Sequence, residues 1–420
     1  MRIAYLLADR GIPFTASQKG GSIHARELVR ALEKEGCEVD VFVMKSGRSP
    51  QGKPKVHEPT PSRLTRFFQK WFLDGRRRPV PNWMDAVNNL LWQRDFLRMA
   101  RRRCERKRPD VIYARNAWLA FSTIALKRIF KVPLVLEVNA LFTIEKKARG
   151  QIAFARLTRA IELRTLRCAD LILPVSEALR EQLLACGIDT GKIVVTPNAV
   201  DLELFQPAAS VAERYHDGAE RDFVVGCVHS FKTYHGTETL LGAAALLKER
   251  IPGLRLLLIG KGEEFDKCRR LAANLGLDGI VEFKGLVPYD EVPELLSRCS
   301  ALVAPYRGSQ NLYNCPMKLY EYMALRVPIV ASRWGEIPRI LKDEKEALLH
   351  AEDKPEALAE RLLRLYRDPE LGKRLSAAAY EIVRNWTWRH VARRILDWAA
   401  ERSKQMSPSR ARVPECRSAE

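Results

Sequence analysis

The sequence predicts an α/β protein in which two doubly wound parallel sheets follow one another along the chain. Short apolar runs, typical of buried strands, alternate with segments of helical periodicity through most of the 420 residues. A polar segment at 208–221 interrupts the alternation once, and the same pattern then restarts. The length also exceeds what one hydrophobic core normally serves. We therefore predict domains at 1–205 and 206–385 and a disordered tail at 406–420.

The predicted strands form one group on each side of the polar segment. The first group is Ile3–Leu7, Val39–Val43, Val111–Tyr113, Leu134–Leu136, Leu171–Val175 and Ile193–Val195. The second is Phe223–Gly226, Leu254–Ile259, Ile280–Phe283, Ala301–Ala304 and Pro328–Ala331. Ligands of open parallel sheets bind beyond the carboxyl ends of the strands, and two such sheets facing each other form a deep cleft. Candidate site residues should therefore follow strands.

Positive charge dominates the composition. The formal net charge is +20, and residues 61–110 hold 14 Lys or Arg against 5 Asp or Glu. Phe67, Phe68, Trp71, Phe72 and Leu73 lie among these charges, a composition typical of an interfacial membrane segment. We predict an anionic membrane surface as a partner. The alternative is a solvated loop whose aromatic side chains pack on their own domain, and nucleic acid is an unlikely partner because no nucleic-acid-binding motif is visible.

Membrane spans, disulfides and metal sites are not predicted. Every apolar run is much shorter than the roughly 20 residues that a membrane span needs. The nine cysteines include no Cys-x-x-Cys pair and no nearby His at zinc-ligand spacing. We expect free thiols, no metal and a soluble or peripheral cytoplasmic protein, with the inner face of the plasma membrane as its attachment surface.

Gly20 and Gly21 lie between the first strand and a helix. Glycine lets a backbone approach an anion closely, and a helix N-terminus offers free N–H groups to a phosphate. The pair alone is also compatible with an ordinary turn, and its spacing differs from the dinucleotide motif Gly-x-Gly-x-x-Gly. His24, in the first helical turn, is either a ligand-binding residue or a solvated or capping side chain.

The second half carries matching loops at strand ends. After Phe223–Gly226 come Ser230, Lys232 and His235, whose cations could neutralise a diphosphate. Gly260 and Gly262 end the next strand, and Leu286 follows the third. Each loop could also be a structural turn, but their shared position at strand ends favours a binding site.

The most specific motif runs from Asn314 to Leu325. Pro316 suits the first position of a helix, where its missing N–H costs nothing. The N–H groups of Met317, Lys318 and Leu319 would then be free to hold a phosphate. Glu321 follows one turn later and suits neutral sugar hydroxyls better than a diphosphate, which would repel it. The alternative is a glutamate on an exposed helix face.

In order and spacing, these motifs resemble glycosyltransferase family 4, the retaining nucleotide-sugar transferases with the GT-B fold of two tandem Rossmann-like domains facing a cleft. The resemblance covers nearly the whole chain. It rests on 20–24, 175–177, 197–201, 316–324 and 386–388.

The resemblance implies a role for each matching position. Gly21 and the loop of Lys232 and His235 would meet the donor diphosphate together with the backbone of 317–319. Glu321 would bind the ribose, and a helix at 386–405 would pack back on the first domain. Gly260, Gly262 and the backbone of Leu286 would border the base, and further candidate substrate-binding residues are Gly20, His24, Arg115, Asn139, Ser230 and Tyr313. No cofactor is implied beyond a nucleotide-diphosphate sugar as co-substrate, and the acceptor would be lipid-linked or a saccharide precursor of the cell envelope.

Three departures from the family pattern bear on the donor sugar and the phosphates. Tyr313 stands where many members have a glutamate that contacts the transferred sugar, and Asn139 stands where many have a histidine. Lys232 and His235 replace the more usual Arg and Lys, and Arg326 replaces a common Gly. The competing interpretations are a nucleotide-sugar epimerase and a non-catalytic lipid- or nucleic-acid-binding adaptor.

Overall fold

The computed structural model describes residues 1–15, 19–45, 56–73, 80–207, 222–308 and 313–406, with side chains to residue 402. It contains two parallel sheets of six strands each, so the predicted fold class is confirmed. The polar segment at 208–221 and all but the first residue of the predicted tail at 406–420 lie outside the described residues.

The first sheet has the strand order β3-β2-β1-β4-β5-β6, the doubly wound order in which ligands bind where the sequence order reverses, here between β1 and β4. Its strands are β1 (Arg2–Leu7), β2 (Glu38–Val43), β3 (Val56–His57), β4 (Val111–Arg115), β5 (Leu134–Val138) and β6 (Leu171–Pro174). Its helices are α1 (Gly20–Lys34), α2 (Arg63–Phe68), α3 (Asn82–Arg106), α4 (Phe121–Phe130), α5 (Phe142–Ala148), α6 (Ala155–Cys168) and α7 (Glu177–Ala185). A π-helical turn at Gln69–Leu73 extends α2.

The second sheet repeats this topology as β12-β11-β10-β7-β8-β9, which places its reversal between β7 and β10. Its strands are β7 (Phe223–Val228), β8 (Leu254–Ile259), β9 (Val281–Gly285), β10 (Ala301–Ala304), β11 (Ile329–Ser332) and β12 (Leu348–His350). The helices are α8 (Thr237–Leu247), α9 (Phe265–Asn274), α10 (Val292–Ser297), α11 (Met317–Ala324), α12 (Ile337–Ile340), α13 (Pro355–Arg367), α14 (Pro369–Val383) and α15 (Trp388–Met406).

The last helix returns to the first domain. Thr387 forms a parallel bridge with Val200, and α15 then packs against α1. Trp388, Val391 and Ile395 are buried in the core on one face of the first sheet. Both ends of the described part of the chain therefore lie in the first domain.

One predicted strand is not a strand in the structure, and two strands were not predicted. At Ile193–Val195 only Ile193 forms a bridge, with Ile172 at the sheet edge, although Val194 N–H still donates to Ile172 O. The missed strands, β3 and β12, have two and three residues. Periodicity cannot identify strands this short, because alternation needs about four residues to be visible.

Arg326, one of the departures from the family pattern, lies where the backbone conformation suits glycine. Its φ is 52°, a left-handed conformation that favours glycine. The guanidinium carbon lies 3.9 Å from the centre of the Tyr380 ring, a cation–π contact that offsets part of the backbone cost.

No helix within the described ranges is both long and apolar enough to cross a membrane.

Candidate functional site

The loop after β7 lies at the reversal point of the second sheet and packs tightly on its neighbours. A Cβ added to Gly260 would lie 1.9 Å from His229 O, and one added to Gly262 would lie 1.8 Å from Ser230 O. Only glycine permits this approach, so both residues first shape the loop. They bring the loops after β7 and β8 into contact at the cleft edge, and Gly260 N–H donates to Gly285 O at 2.7 Å at the end of β9.

His235 ends a short 3₁₀ turn, Thr233–His235, and is buried. Burial, together with the nearby Lys318 ammonium, lowers its pKa well below the usual value, so the ring is neutral. Its Nδ1 accepts the Lys232 N–H at 3.2 Å, which leaves the proton on Nε2. The expectation that His235 supplies a second cation is therefore corrected, since it offers a neutral N–H donor. The positive charge of this loop belongs to Lys232.

Lys318, in the first turn of α11, is buried, and its Nζ has no hydrogen-bond partner. The ammonium lies 4.8 Å from the centre of the Tyr306 ring. Desolvation lowers its pKa, while the Cys227 thiol and the Glu321 carboxyl act in the opposite direction. A buried cation without an acceptor is costly, and an incoming anion would relieve that cost.

Glu321 lies one turn further along α11 and is also buried, so it is not on an exposed helix face. Tyr289 O–H donates to its Oε1 at 2.9 Å. Burial raises the pKa of this carboxyl to about 7, against the lowering effects of Tyr289 and Lys318. Glu321 therefore combines a carboxyl that stays protonated to higher pH than usual with a hydroxyl donor, Tyr289, that was not identified from the sequence.

The N-terminus of α11 departs in detail from the sequence expectation. Pro316 precedes the first helical residue, Met317, and Leu319 N–H donates to Pro316 O at 3.2 Å. The expectation that the Leu319 N–H binds a phosphate is therefore corrected, because this N–H already donates to Pro316 O. The first-turn N–H groups of Met317 and Lys318 have no intrahelical acceptor.

The glycine pair of the first domain faces this helix. Gly20 and Gly21 are the first two residues of α1, and a Cβ on Gly20 would lie 3.8 Å from Met317 Sδ. Arg115, at the end of β4, donates to Gly21 O at 3.3 Å. The structure thus brings the N-termini of α1 and α11 together from opposite sides of the cleft, which two glycines without side chains make possible.

His24 lies beneath the glycine pair in a buried polar cluster. Its Nε2 is 2.9 Å from Glu137 Oε2 and its Nδ1 is 2.7 Å from Asn198 Oδ1. Asn139 Nδ2 donates to the other oxygen of Glu137. Protein groups therefore occupy both ring nitrogens of His24. The expectation that His24 is a solvated, capping or directly ligand-binding residue is corrected accordingly.

Tyr313 and Leu286 lie at the periphery. Tyr313 is half-buried, and burial raises its pKa, with further effects from Glu145 and Arg149 at the end of α5. This electrostatic contact places Tyr313 opposite the first domain. Leu286 is 65 % exposed just after β9, so its side chain packs little against the rest of the protein.

Two polar contacts between the domains were not foreseen from the sequence. Asn198 Nδ2 donates to Cys315 O, immediately before Pro316. Glu336, before α12, accepts from the N–H groups of Glu177 and Ala178 at 3.3 and 3.2 Å and so caps α7 of the other domain. The motifs at 175–177 and 197–201 marked these positions, but their partners lie more than 100 residues away.

Comparison with known proteins identifies the family. The sequence model of the protein family described as Glycosyltransferase Family 4 matches residues 19–204. The family model described as Glycosyl transferases group 1 matches residues 213–382. The chain belongs to glycosyltransferase family 4. It is therefore a nucleotide-sugar glycosyltransferase, and the resemblance seen in the motifs is confirmed.

Relatives of this family 4 chain include a D-inositol 3-phosphate glycosyltransferase of Pseudarthrobacter chlorophenolicus, 27% identical over 395 residues, covering 90% of each chain. A GDP-mannose-dependent alpha-(1-6)-phosphatidylinositol monomannoside mannosyltransferase of Mycobacterium tuberculosis is 25% identical over 237 residues, 54% of this chain and 61% of the relative.

Solved structures support the fold. Sucrose-phosphate synthase of Thermosynechococcus elongatus superimposes with a TM-score of 0.74 at 20% identity, over 96% of this chain and all of that one. Anabaena HepE in complex with UDP-glucose gives 0.69 at 18% identity over the same shares. The GT-B architecture is thereby confirmed.

Proposed function

We propose that this chain transfers a sugar, with retention of anomeric configuration and without a metal, from a nucleotide-diphosphate sugar to a lipid-linked or saccharide acceptor. The observation that carries the proposal is the buried Lys318 ammonium, which has no hydrogen-bond partner and lies where α11 meets α1. A diphosphate between the two helix N-termini would supply the missing acceptor.

Each remaining site residue has a place in this donor complex. Lys232 and Lys318 carry positive charge, and His235 donates a neutral Nε2–H, so the diphosphate meets two cations rather than three. The N–H groups of Gly21, Met317 and Lys318 complete its cradle. Glu321 accepts from the ribose hydroxyls, while Gly260, Gly262 and the backbone of Leu286 border the base.

The transfer step follows from this charge arrangement. The bond between the anomeric carbon and the diphosphate oxygen breaks first, and its electron pair remains on the diphosphate. The acceptor hydroxyl then attacks from the same face and passes its proton to the leaving oxygen. Lys232, Lys318 and the helix N-termini stabilise the negative charge that develops there, a task that a metal performs in other transferases.

The acceptor is proposed from the first domain and from the relatives. Lys146 Nζ lies 3.7 Å from the centre of the Trp118 ring and 3.9 Å from Asp85 Oδ2, and Arg149, paired with Glu145, lies near Tyr313. These cations suit an acceptor that carries phosphate. The names of the relatives, which include inositol 3-phosphate and phosphatidylinositol monomannoside, support a phosphorylated polyol or its lipid-linked form.

A panel of nucleotide sugars, assayed for released nucleoside diphosphate with and without excess EDTA, tests the proposal. We expect one donor to be turned over, activity to persist in EDTA, and Lys318→Met to weaken that donor about tenfold or more through loss of a charge-assisted hydrogen bond. Lys284→Met, which removes an exposed lysine paired with Glu282, is the matched control. Activity that EDTA abolishes and magnesium restores would disprove the metal-free mechanism, and unchanged donor affinity in Lys318→Met would exclude Lys318.

We further propose that α2 with its π-helical turn attaches the enzyme to the anionic inner face of the plasma membrane. Leu64, Phe67 and Trp71 are 49, 54 and 65 % exposed and recur every three or four residues, so they form one apolar stripe. Arg63, Arg66 and Lys70 are exposed beside them. Apolar insertion and cationic attraction therefore act on one element. Arg76, Arg77 and Arg78, which add to this charge, lie outside the described residues.

Sedimentation with vesicles of mixed anionic and zwitterionic lipid tests the attachment. We expect binding at low salt that weakens as salt is raised, because the cationic contribution is screened. Phe67→Ser with Trp71→Ser should weaken binding even at low salt. Leu246→Ser, at an apolar residue of similar exposure in α8, should not. If the wild-type protein stays in the supernatant with anionic vesicles at low salt, the stripe is not a membrane contact.

A further inference from the structure

His24 has two hydrogen-bond partners whose chemical roles are fixed. Asn198 Nδ2 donates to Cys315 O, a carbonyl that can only accept. The amide is therefore oriented with Oδ1 towards His24 Nδ1, at 2.7 Å. Since an oxygen of this amide accepts but never donates, His24 Nδ1 must carry a proton.

The other ring nitrogen faces a carboxylate. Glu137 Oε2 lies 2.9 Å from His24 Nε2 and also accepts the Tyr113 hydroxyl at 2.7 Å. Arg115 is 3.5 Å from Oε1. The Arg115 guanidinium, the Tyr113 hydroxyl and the Asn139 amide all favour the ionised form of this carboxyl. Glu137 is thus ionised and accepts only, so His24 Nε2 carries a proton as well.

A neutral imidazole has one N–H, and this ring needs two. If His24 lost a proton, a bare nitrogen lone pair would face an oxygen lone pair at hydrogen-bond distance in a buried site. The ring contacts Glu137 from β5 and the edge-on Trp388 of α15. Arg115 and Tyr113 from β4 contact Glu137, and Tyr5 from β1 interacts with the same carboxylate. Glu137 balances one of the two cations, and the cluster keeps a net charge of +1.

The hydrogen bonds of the ring connect the two halves of the diphosphate cradle. His24 lies four residues after Gly20 at the N-terminus of α1. Asn198 lies in the connection between the domains, and Cys315 directly precedes Pro316 and α11. A second contact, from Asn198 N–H to Cys315 Sγ at 3.4 Å, strengthens the same junction. The path from α1 to α11 therefore runs through one histidine and one asparagine.

We propose that His24 is a buried imidazolium that acts as a positioning residue: it holds Asn198 on the Cys315 carbonyl and aligns the N-termini of α1 and α11. The functional part rests on the donor site proposed above. The protonation state follows from the hydrogen bonds alone, so the two proposals can fail separately.

Ring nitrogen NMR of protein labelled with ¹⁵N-histidine, without ligand at neutral pH, reads the protonation state directly. We expect one histidine with both ring nitrogens protonated, protected from solvent and absent in His24→Gln. If that variant does not fold, Asn198→Ser, which keeps a hydroxyl acceptor, assigns the signal by shifting it. A single N–H on His24 would overturn the proposal even in an active enzyme.

The steady-state constants of donor turnover test positioning. In His24→Gln, whose amide replaces the N–H towards Glu137 but not that towards Asn198, the donor KM should be about tenfold higher while kcat changes little. His57→Gln is the matched control, because His57 lies 3.1 Å from Asp40 on another part of the sheet. An unchanged donor KM in His24→Gln would overturn the positioning role, whereas an NMR result as expected in a protein without transferase activity would reject only the proposed function.

Discussion

At the scale of single residues, the donor site is built from groups whose burial destabilises the free protein. Lys318 has no hydrogen-bond partner, and burial keeps the Glu321 carboxyl protonated to higher pH than usual. Neither feature favours folding, because a buried charge or a buried unpaired donor costs free energy. Both suit a site that becomes complete only when a nucleotide diphosphate brings the acceptor and donors that the protein lacks.

Glu321→Gln should stabilise the free protein at alkaline pH while weakening donor binding. The folded-state pKa is about 7 and the ordinary value 4.5, so stability is lost as pH rises from 4.5 through 7. The loss is at most about 3 kcal/mol. Glutamine keeps an acceptor for Tyr289 but cannot ionise. We expect a higher midpoint in urea at pH 8.5 than the wild type, and nearly equal midpoints at pH 5.

The same variant should bind the donor about tenfold more weakly at pH 8, since a neutral amide accepts less strongly than a carboxylate. Wild-type affinity should rise from pH 6 to 8 as Glu321 ionises, and that of Glu321→Gln should not. Calorimetric titration with the nucleoside diphosphate measures both. Equal affinity in the two proteins at pH 8 would show that Glu321 does not contact the nucleotide.

The sequence predicted which residues meet at the site better than it predicted their chemical state. Glycines and cations at strand ends indicated Gly20, Lys232, Gly260 and Lys318 because the carboxyl ends of parallel strands share one edge. The neutrality of His235 depends on burial beside His229, Tyr306 and Lys318, which only the folded chain brings together. The two protons of His24 likewise depend on Glu137 and Asn198, 113 and 174 residues away.

At the scale of secondary-structure elements, length decided what could be predicted. Strands of four to six residues were found from their apolar runs, whereas β3 and β12, which pair at the outer edges of the sheets, are too short for a pattern. The exposed stripe of α2 is a different case. Its apolar and cationic composition was visible in the sequence, but only the structure shows that Leu64, Phe67 and Trp71 are exposed while Thr65 is buried.

The return helix α15 should be a major contributor to the stability of the first domain. Ile395 is buried beside α1, so Ile395→Ala should cost about 2–5 kcal/mol through lost burial and a residual cavity. Urea unfolding followed by tryptophan fluorescence measures the change. Arg394→Ala, at the exposed neighbouring position, is the control and should cost less than about 1 kcal/mol. A similar small cost for both would show that α15 is only loosely attached.

At the scale of the whole molecule, few polar contacts set the relation between the two sheets. Asn198 and Cys315 join the domains where the chain crosses between them, and Glu336 joins them at the N-terminus of α7. Arg339 adds a pair with Glu181 at 3.3 Å, but both side chains are exposed. Exposed pairs contribute about 0–1 kcal/mol, whereas a buried carboxylate on two helix N–H groups contributes more. Glu336 is therefore the main polar link on its side of the cleft.

Glu336→Ala should loosen this link without unfolding either domain. The variant leaves the N–H groups of Glu177 and Ala178 without their acceptor and removes a polar link between the two domains. We expect a larger radius of gyration in small-angle scattering and a fall in kcat/KM of about tenfold, because donor and acceptor residues no longer meet at the right distance. Glu181→Ala, which removes the exposed pair on the same surface, should change neither quantity. If Glu336→Ala retains the wild-type radius of gyration and activity, the domains are held together by their apolar contacts, and the Glu336 cap adds little to the junction between them.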